Sequence, residues 1–179
     1  QQLGEYTKAG EAFQEVQTTF PEGEYAPQDL LASSINFQRG NSLDASESAL
    51  RILIAKYPRS SLIHEAIYNL GRILLKANRP EEALSQFRKI SKYPGVSERK
   101  PDAFLEIGKV ALVKSDLQEA ERIFEELRKK FPRSTSAETS YLVLAQWLSD
   151  RGNLNEAANI YQAARSILPD NERRQKVDL

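Results

Sequence analysis

An aromatic residue or leucine followed by proline recurs five times along this chain, at Phe20-Pro21, Tyr57-Pro58, Tyr93-Pro94, Phe131-Pro132 and Leu168-Pro169. Successive prolines stand 37, 36, 38 and 37 residues apart. Proline stops a helix, because its ring removes an amide donor and crowds the preceding turn. A near-constant period of this length, with no strand-like alternation between the prolines, predicts a solenoid of short helices. Each repeat is too small to bury its own apolar faces and buries them against its neighbours. The expected class is all-α.

Within one period the pattern is clearest over Ala66-Ile67-Tyr68-Asn69-Leu70-Gly71-Arg72-Ile73-Leu74-Leu75, then Asn78-Arg79-Pro80-Glu81-Glu82-Ala83, then Phe87, Ile90 and Pro94. The next copy carries Phe104, Ile107, Gly108, Ala120, Phe124, Leu127 and Pro132. The one after carries Tyr141, Leu144, Ala145, Gly152, Ala157, Tyr161, Ala164 and Pro169. An earlier copy is degenerate, with Leu30, Ser33, Ser34, Phe37, Ser46, Leu50, Leu53 and Pro58. A small residue lets the two helices of a hairpin approach closely, and the aromatic on the second helix fills the remaining gap. Asn78-Arg79-Pro80, Ser115-Asp116-Leu117 and Gly152-Asn153-Leu154 have the chemistry of tight turns between the helices. Ser60-Ser61, Ser134 and Asp170-Asn171 are candidate caps for the helices that follow each proline.

This pattern resembles the tetratricopeptide repeat: a large residue, Leu-Gly shortly after, a tight turn, Ala, an aromatic four residues on, and a closing Pro. Ile67, Leu70, Gly71, Ala83, Phe87 and Pro94 fill those places. The resemblance implies a right-handed α-solenoid of helical hairpins, with repeats over 27–58, 64–94, 101–132 and 138–169. Residues 1–21, through Gly4-Glu5-Tyr6-Thr7-Lys8-Ala9, Phe13 and Val16, read as the second helix of a truncated repeat. The expectation is therefore a fragment of a longer solenoid, opening in mid-repeat. Residues 172–179 read either as the start of a further helix or as a tail carrying Arg173, Arg174 and Lys176.

Composition limits the function classes. Twenty-five basic residues balance 25 acidic ones, so no global positive field draws the chain to nucleic acid, which is not an expected partner. No cysteine is present, which removes disulfides and thiolate chemistry and leaves the compartment open. No apolar run is long enough to span a bilayer. The single histidine, His64, sits without a metal-binding cluster. The acidic pairs Glu81-Glu82 and Glu125-Glu126 suit helix starts and solvated flanks. No phosphate-binding glycine loop or nucleophile elbow is present. The expectation is a protein that is not an enzyme, with no catalytic residues, no metal and no cofactor. The basic groups Arg88-Lys89, Lys92, Arg99-Lys100 and Arg128-Lys129-Lys130 with Arg133 fall at helix ends, where cations are stabilising.

A solenoid of hairpins presents its first helices along a concave groove, where a protein or peptide partner would lie. The residues expected to face it are Leu31, Ile35, Tyr68, Arg72, Leu75, Leu105, Lys109, Leu112, Leu142 and Gln146, with Gln38 and Ser149 at the equivalent margins. Arg72 and Lys109 would fix a ligand's orientation. The leucines read equally well as groove or as core. The carboxylate clamp of chaperone-binding relatives is absent, because Leu31 and Ile35 stand where it needs Lys and Asn.

The closings Lys56-Tyr57-Pro58-Arg59-Ser60-Ser61 and Lys130-Phe131-Pro132-Arg133-Ser134 resemble those of bacterial periplasmic tetratricopeptide proteins. The types in question are the outer-membrane barrel-assembly lipoprotein and the Tol-Pal-associated cell-division coordinator. That resemblance implies a periplasmic or outer-membrane-associated scaffold in a cell-envelope complex. The alternatives are a cytoplasmic assembly or regulatory scaffold, a module holding glycan or peptidoglycan fragments, and self-association through uncovered repeat ends.

Overall fold

The computed structural model describes residues 2–167, and among these residues there are nine α-helices and no strand. Packing divides the chain into two compact units, Gln1–Arg99 and Lys100–Leu179. The first holds α1 (Gln2–Thr19), α2 (Ala26–Arg39), α3 (Leu43–Lys56), α4 (Ile63–Lys76) and α5 (Pro80–Ser91). Here each helix packs on the next. The second holds α6 (Lys100–Val113), α7 (Leu117–Lys130), α8 (Thr135–Asp150) and α9 (Leu154–Ile167), with α8 against both α6 and α7 and α9 against α8. The closing Leu168-Pro169, the cap candidates Asp170-Asn171 and the segment 172–179 lie outside the described residues.

Four hairpin turns share one geometry. Asn41, Asn78, Ser115 and Gly152 take φ of 59°, 57°, 59° and 81°. One residue further on, an amide donates to the carbonyl five residues back in the helix: Ser42 to Phe37, Arg79 to Leu74, Asp116 to Ala111 and Asn153 to Leu148, at 2.8–3.0 Å. This is the Schellman closure, which satisfies carbonyls left over at a helix end and needs one left-handed residue. Glycine takes that conformation without steric cost and asparagine tolerates it, so the turn residues follow from the backbone the turn requires.

Small residues bring the paired helices together. Phe87 and Phe124 are fully buried. Each ring lies over the α-carbon of a glycine on the first helix of its own hairpin, Gly71 and Gly108 respectively. The degenerate hairpin reaches close packing through serines instead. Ser33 and Ser46 are fully buried, and their hydroxyls donate to the carbonyls of Gly10 and Ser34, both at 2.8 Å. A buried hydroxyl costs little once bonded in this way. On α1 the other flank is uncovered, with Leu3, Tyr6, Phe13, Val16 and the adjoining Phe20 exposed.

Capping departs from expectation in one place. Ser134 caps α8, its Oγ accepting from the Ala137 amide at 3.1 Å, and Asp116 caps α7 by accepting from Glu119 at 3.1 Å. At α4, however, the cap position is Leu62, without a side-chain cap bond, and Ser60 Oγ accepts from the Leu62 amide at 3.2 Å. The linker 57–62 is longer than 131–134, so the serine falls before the helix start and closes a turn in the linker.

Candidate partner-binding site

In the second unit, α6, α8 and α9 enclose an open cavity of about 950 Å³. Its wall combines Lys109, Leu112 and Val113 of α6, Leu142, Val143, Gln146, Trp147, Ser149 and Asp150 of α8, Arg151 of the turn, and Tyr161 of α9. Helical spacing explains the set: residues three and four apart on α8 share one face. Trp147 Nε1 donates to the Leu112 carbonyl at 3.0 Å, which fixes the indole across the end of α6. The Arg151 guanidinium carbon lies 3.8 Å from the centroid of the indole ring, a cation–π contact. Gln146 donates to Asp150 at 2.7 Å, and the Tyr161 hydroxyl donates to Gln146 Oε1 at 3.3 Å. Lys109 is tied to Glu106 at 2.9 Å.

Tyr161 owes its place to a substitution one helix away. It holds the position that Phe87 and Phe124 occupy in the preceding hairpins, where the ring sits over glycine. At the matching place on α8 the residue is Ala145, fully buried. A β-carbon at Gly71 or Gly108 would lie within 3.0 Å of the Phe87 or Phe124 ring, and alanine carries such a β-carbon. The Tyr161 ring consequently stands half-buried at the cavity wall.

Of the residues expected to face a ligand, Lys109, Leu112, Leu142 and Gln146 meet on this one cavity, with Ser149 beside them. The leucines, which read equally well as groove or as core, divide by burial: Leu105 is 8% exposed and lies in the core, while Leu112, 3% exposed, lines the cavity with little of its surface and spends its carbonyl on Trp147. In the first unit the expected residues are not gathered. Leu31 and Leu75 are half-buried, while Ile35 and Arg72 are exposed. Tyr68 packs against Phe87 with ring centroids 5.8 Å apart, under the guanidinium groups of Arg72 and Arg99 at 6.0 and 5.1 Å. Two other cavities of that unit, about 680 and 480 Å³, are lined by Ser61, Leu62, His64 and Glu65 with 96–99 and by Glu24, Pro27 and Gln28 with 56–61, and none of the five expected residues lines them.

The other sequence candidates have local roles. His64 meets Tyr93 edge to face at 4.4 Å. Glu125 and Glu126 pair with Lys129 and Lys130 one turn on, at 2.6 and 2.7 Å. Arg128 stacks 4.0 Å above Tyr141, and Arg99 is bonded to Glu65. Among the described residues no group of three His, Asp or Glu side chains could hold a metal ion. No described helix is long and apolar enough to cross a membrane.

Residues 31–97 and 105–172 match the family model for the tetratricopeptide repeat, which together is well over half of the chain. The chain belongs to the tetratricopeptide repeat family. No curated protein matches its sequence. Its fold is similar to that of a Podosopora anserina kinesin light chain with nearly identical TPR-like repeats, at TM-score 0.71 and 14% identity over 95% of this chain and 90% of that one. It is also similar to a tetratricopeptide repeat protein from Parabacteroides merdae, at 0.69 and 16% over 93% and 62%. BtubC from P. vanneervenii is a further neighbour, at 0.70 and 13% over 92% and 73%. At such identities the likeness is one of fold.

Seen as repeats, the residues missed by sequence reasoning stand at the same places as core residues. Trp147 is the counterpart of Val110, which is 3% exposed, and Tyr161 that of Phe124. The available signal was that the chain's single tryptophan interrupts a position held by a small apolar residue one period earlier.

Proposed function

We propose that this chain is a protein–protein interaction scaffold that docks a peptide or helix of a partner in the cavity between α6, α8 and α9. Tetratricopeptide repeats generally mediate such interactions, and the cavity supports the specific placement. One observation carries it: four residues expected from the repeat register alone, Lys109, Leu112, Leu142 and Gln146, line a single cavity with an aromatic pair. Apolar walls with a few fixed polar groups suit the alternating or helical side chains of a peptide.

The scaffold is assigned to a bacterial cell envelope, in the periplasm or at the outer membrane. The support for this is the resemblance of the closings at 56–61 and 130–134 to those of periplasmic relatives. The Trp147 and Tyr161 lining also favours one other reading, a glycan-binding module. Arg151 covers one face of the indole, which leaves less of it for a sugar ring to stack on.

Affinity capture from separated envelope and soluble fractions of the native cell tests the proposal, using wild type against Leu142→Asp. Envelope proteins retained by wild type and lost by the variant are the expected result. Capture of soluble proteins alone would move the compartment and leave the scaffold. Equal capture by both forms would remove the cavity from the account, and retention of muropeptides in place of protein would favour the glycan reading.

A further inference from the structure

Beyond the cavity, we infer a second interaction surface on the first unit: the uncovered flank of α1 takes a basic amphipathic helix of a partner protein, laid along it as the first helix of a hairpin lies along the second. Ala9, Phe13 and Val16 repeat on α1 the spacing of Ala83, Phe87 and Ile90 on α5 and of Ala120, Phe124 and Leu127 on α7. Those six residues of α5 and α7 are fully buried, in hairpins with α4 and α6 respectively. On α1, α2 covers one side, where Phe37 packs against Gly10. Phe13, Val16 and the adjoining Phe20 stay 37%, 46% and 64% exposed. The flank is thus shaped for a helix whose apolar face sets a small residue opposite Phe13, as Gly71 stands opposite Phe87.

Charge decides the chemistry of that helix. Glu5 shares a row of α1 with Ala9, Ala12 and Val16, Glu11 and Glu15 follow on the adjoining face, and Glu22 stands just past Phe20. All four are exposed, and among the described residues none of them is ion-paired. Residues 1–39 hold six carboxylates against two cations, Lys8 and Arg39, in a chain that is neutral overall. The Arg39 guanidinium lies over the Tyr6 ring at 5.7 Å. Even with Glu24 set against Lys56 and Arg59, whose cavity wall it shares, this end of the chain remains net negative. A second copy fits the flank poorly, because two α1 flanks would bring like charges together. Nor does the cation-rich stretch 51–92 offer it a partner, since no large hydrophobic residue is exposed there among the described residues. A partner helix with an apolar stripe bordered by Lys or Arg meets both features, its cations drawn by the acidic rim and its stripe covering the aromatics.

The probe is a fluorescein-labelled, helix-stapled peptide of about four turns, with Leu and Ala on one face and Lys along its borders; the control carries Gln for every Lys. Fluorescence anisotropy is followed with the protein as its native cells produce it. Saturable binding of the Lys peptide is expected, weakening as salt is raised, with the Gln peptide bound about tenfold less tightly. Val16→Lys sets a cation within the stripe and should weaken binding by about tenfold or more. Glu5→Gln with Glu15→Gln should weaken it by about threefold and flatten the salt dependence, with unchanged circular dichroism in both variants. Leu142→Asp should leave it unchanged, so this surface and the cavity stand or fall separately. Equal binding of the two peptides would overturn the basic assignment, and unchanged binding to Val16→Lys would move the site off α1. A flank already covered, by a second copy in concentration-dependent sedimentation or by other residues of the same chain, would leave the peptide unbound and overturn the inference as well.

Discussion

The ring of Phe87 stands 2.5 Å from the point a β-carbon on Gly71 would occupy, closer than real side-chain contacts allow. Phe124 stands closer still to the corresponding point on Gly108. Gly71→Ala and Gly108→Ala should therefore each destabilise by about 1–3 kcal/mol through overpacking, since both rings are fully buried and have little room to shift. Denaturant unfolding of each variant checks this, and unchanged midpoints would refute the helix pairing.

Ser115 carries the opposite prediction. It holds φ of 59° in a turn where its counterpart one period later is glycine. Ser115→Gly removes steric strain that the left-handed conformation imposes on a side chain, at some cost in unfolded-state entropy. The net expectation is a gain of up to about 1 kcal/mol, read from thermal unfolding. A loss of stability would contradict the turn geometry.

Two caps give a third test. Ser134→Ala and Asp116→Ala each remove a side-chain acceptor from an amide at a helix start, which costs about 1 kcal/mol at such positions. Ser60→Ala should cost less, because Ser60 bonds within the linker and caps no helix. Equilibrium unfolding of the three variants under one set of conditions gives the ranking.

Titration offers a fourth. Hydrogen bonding from Arg79 holds the Glu82 carboxyl below its ordinary value of 4.5, with Coulomb attraction to Arg79 and Arg51 adding to it. A folded value below the unfolded one means the pairing stabilises above that ordinary value and is lost as acid protonates the carboxylate below it. Carbon-detected NMR titration should place the Glu82 midpoint below that of a free glutamate, and Arg79→Gln should return it upward. Glu82 is exposed and Arg79 only half-buried, so the effect on global stability is small.

The hairpins, their turns and the glycine–aromatic pairs were legible in the sequence because each depends on residues within one period, and the period repeats. Gly71 with Phe87 and Gly108 with Phe124 could be read from spacing alone. The linker serines could not be read as securely, since Ser60 and Ser134 follow their prolines alike and a difference in linker length decides which one caps. The cavity was half legible. Lys109, Leu142 and Gln146 follow from the register, but Leu105 turned out to be core. Trp147, Tyr161 and Arg151 belong to the wall for reasons that lie in neighbouring helices: the β-carbon of Ala145, the carbonyl of Leu112, and the packing that covers Val110 but leaves Trp147 half-buried.

Site-specific photo-crosslinking in the native cell tests the central claim most directly, with a photoreactive residue placed at Gln146, which is exposed on the cavity wall, or at Gln118, which is exposed on α7. The account predicts a discrete adduct with a partner protein from position 146 that is lost in the Leu142→Asp background, and none of that adduct from position 118. An adduct from 118 alone, or one from 146 that persists in Leu142→Asp, would contradict it.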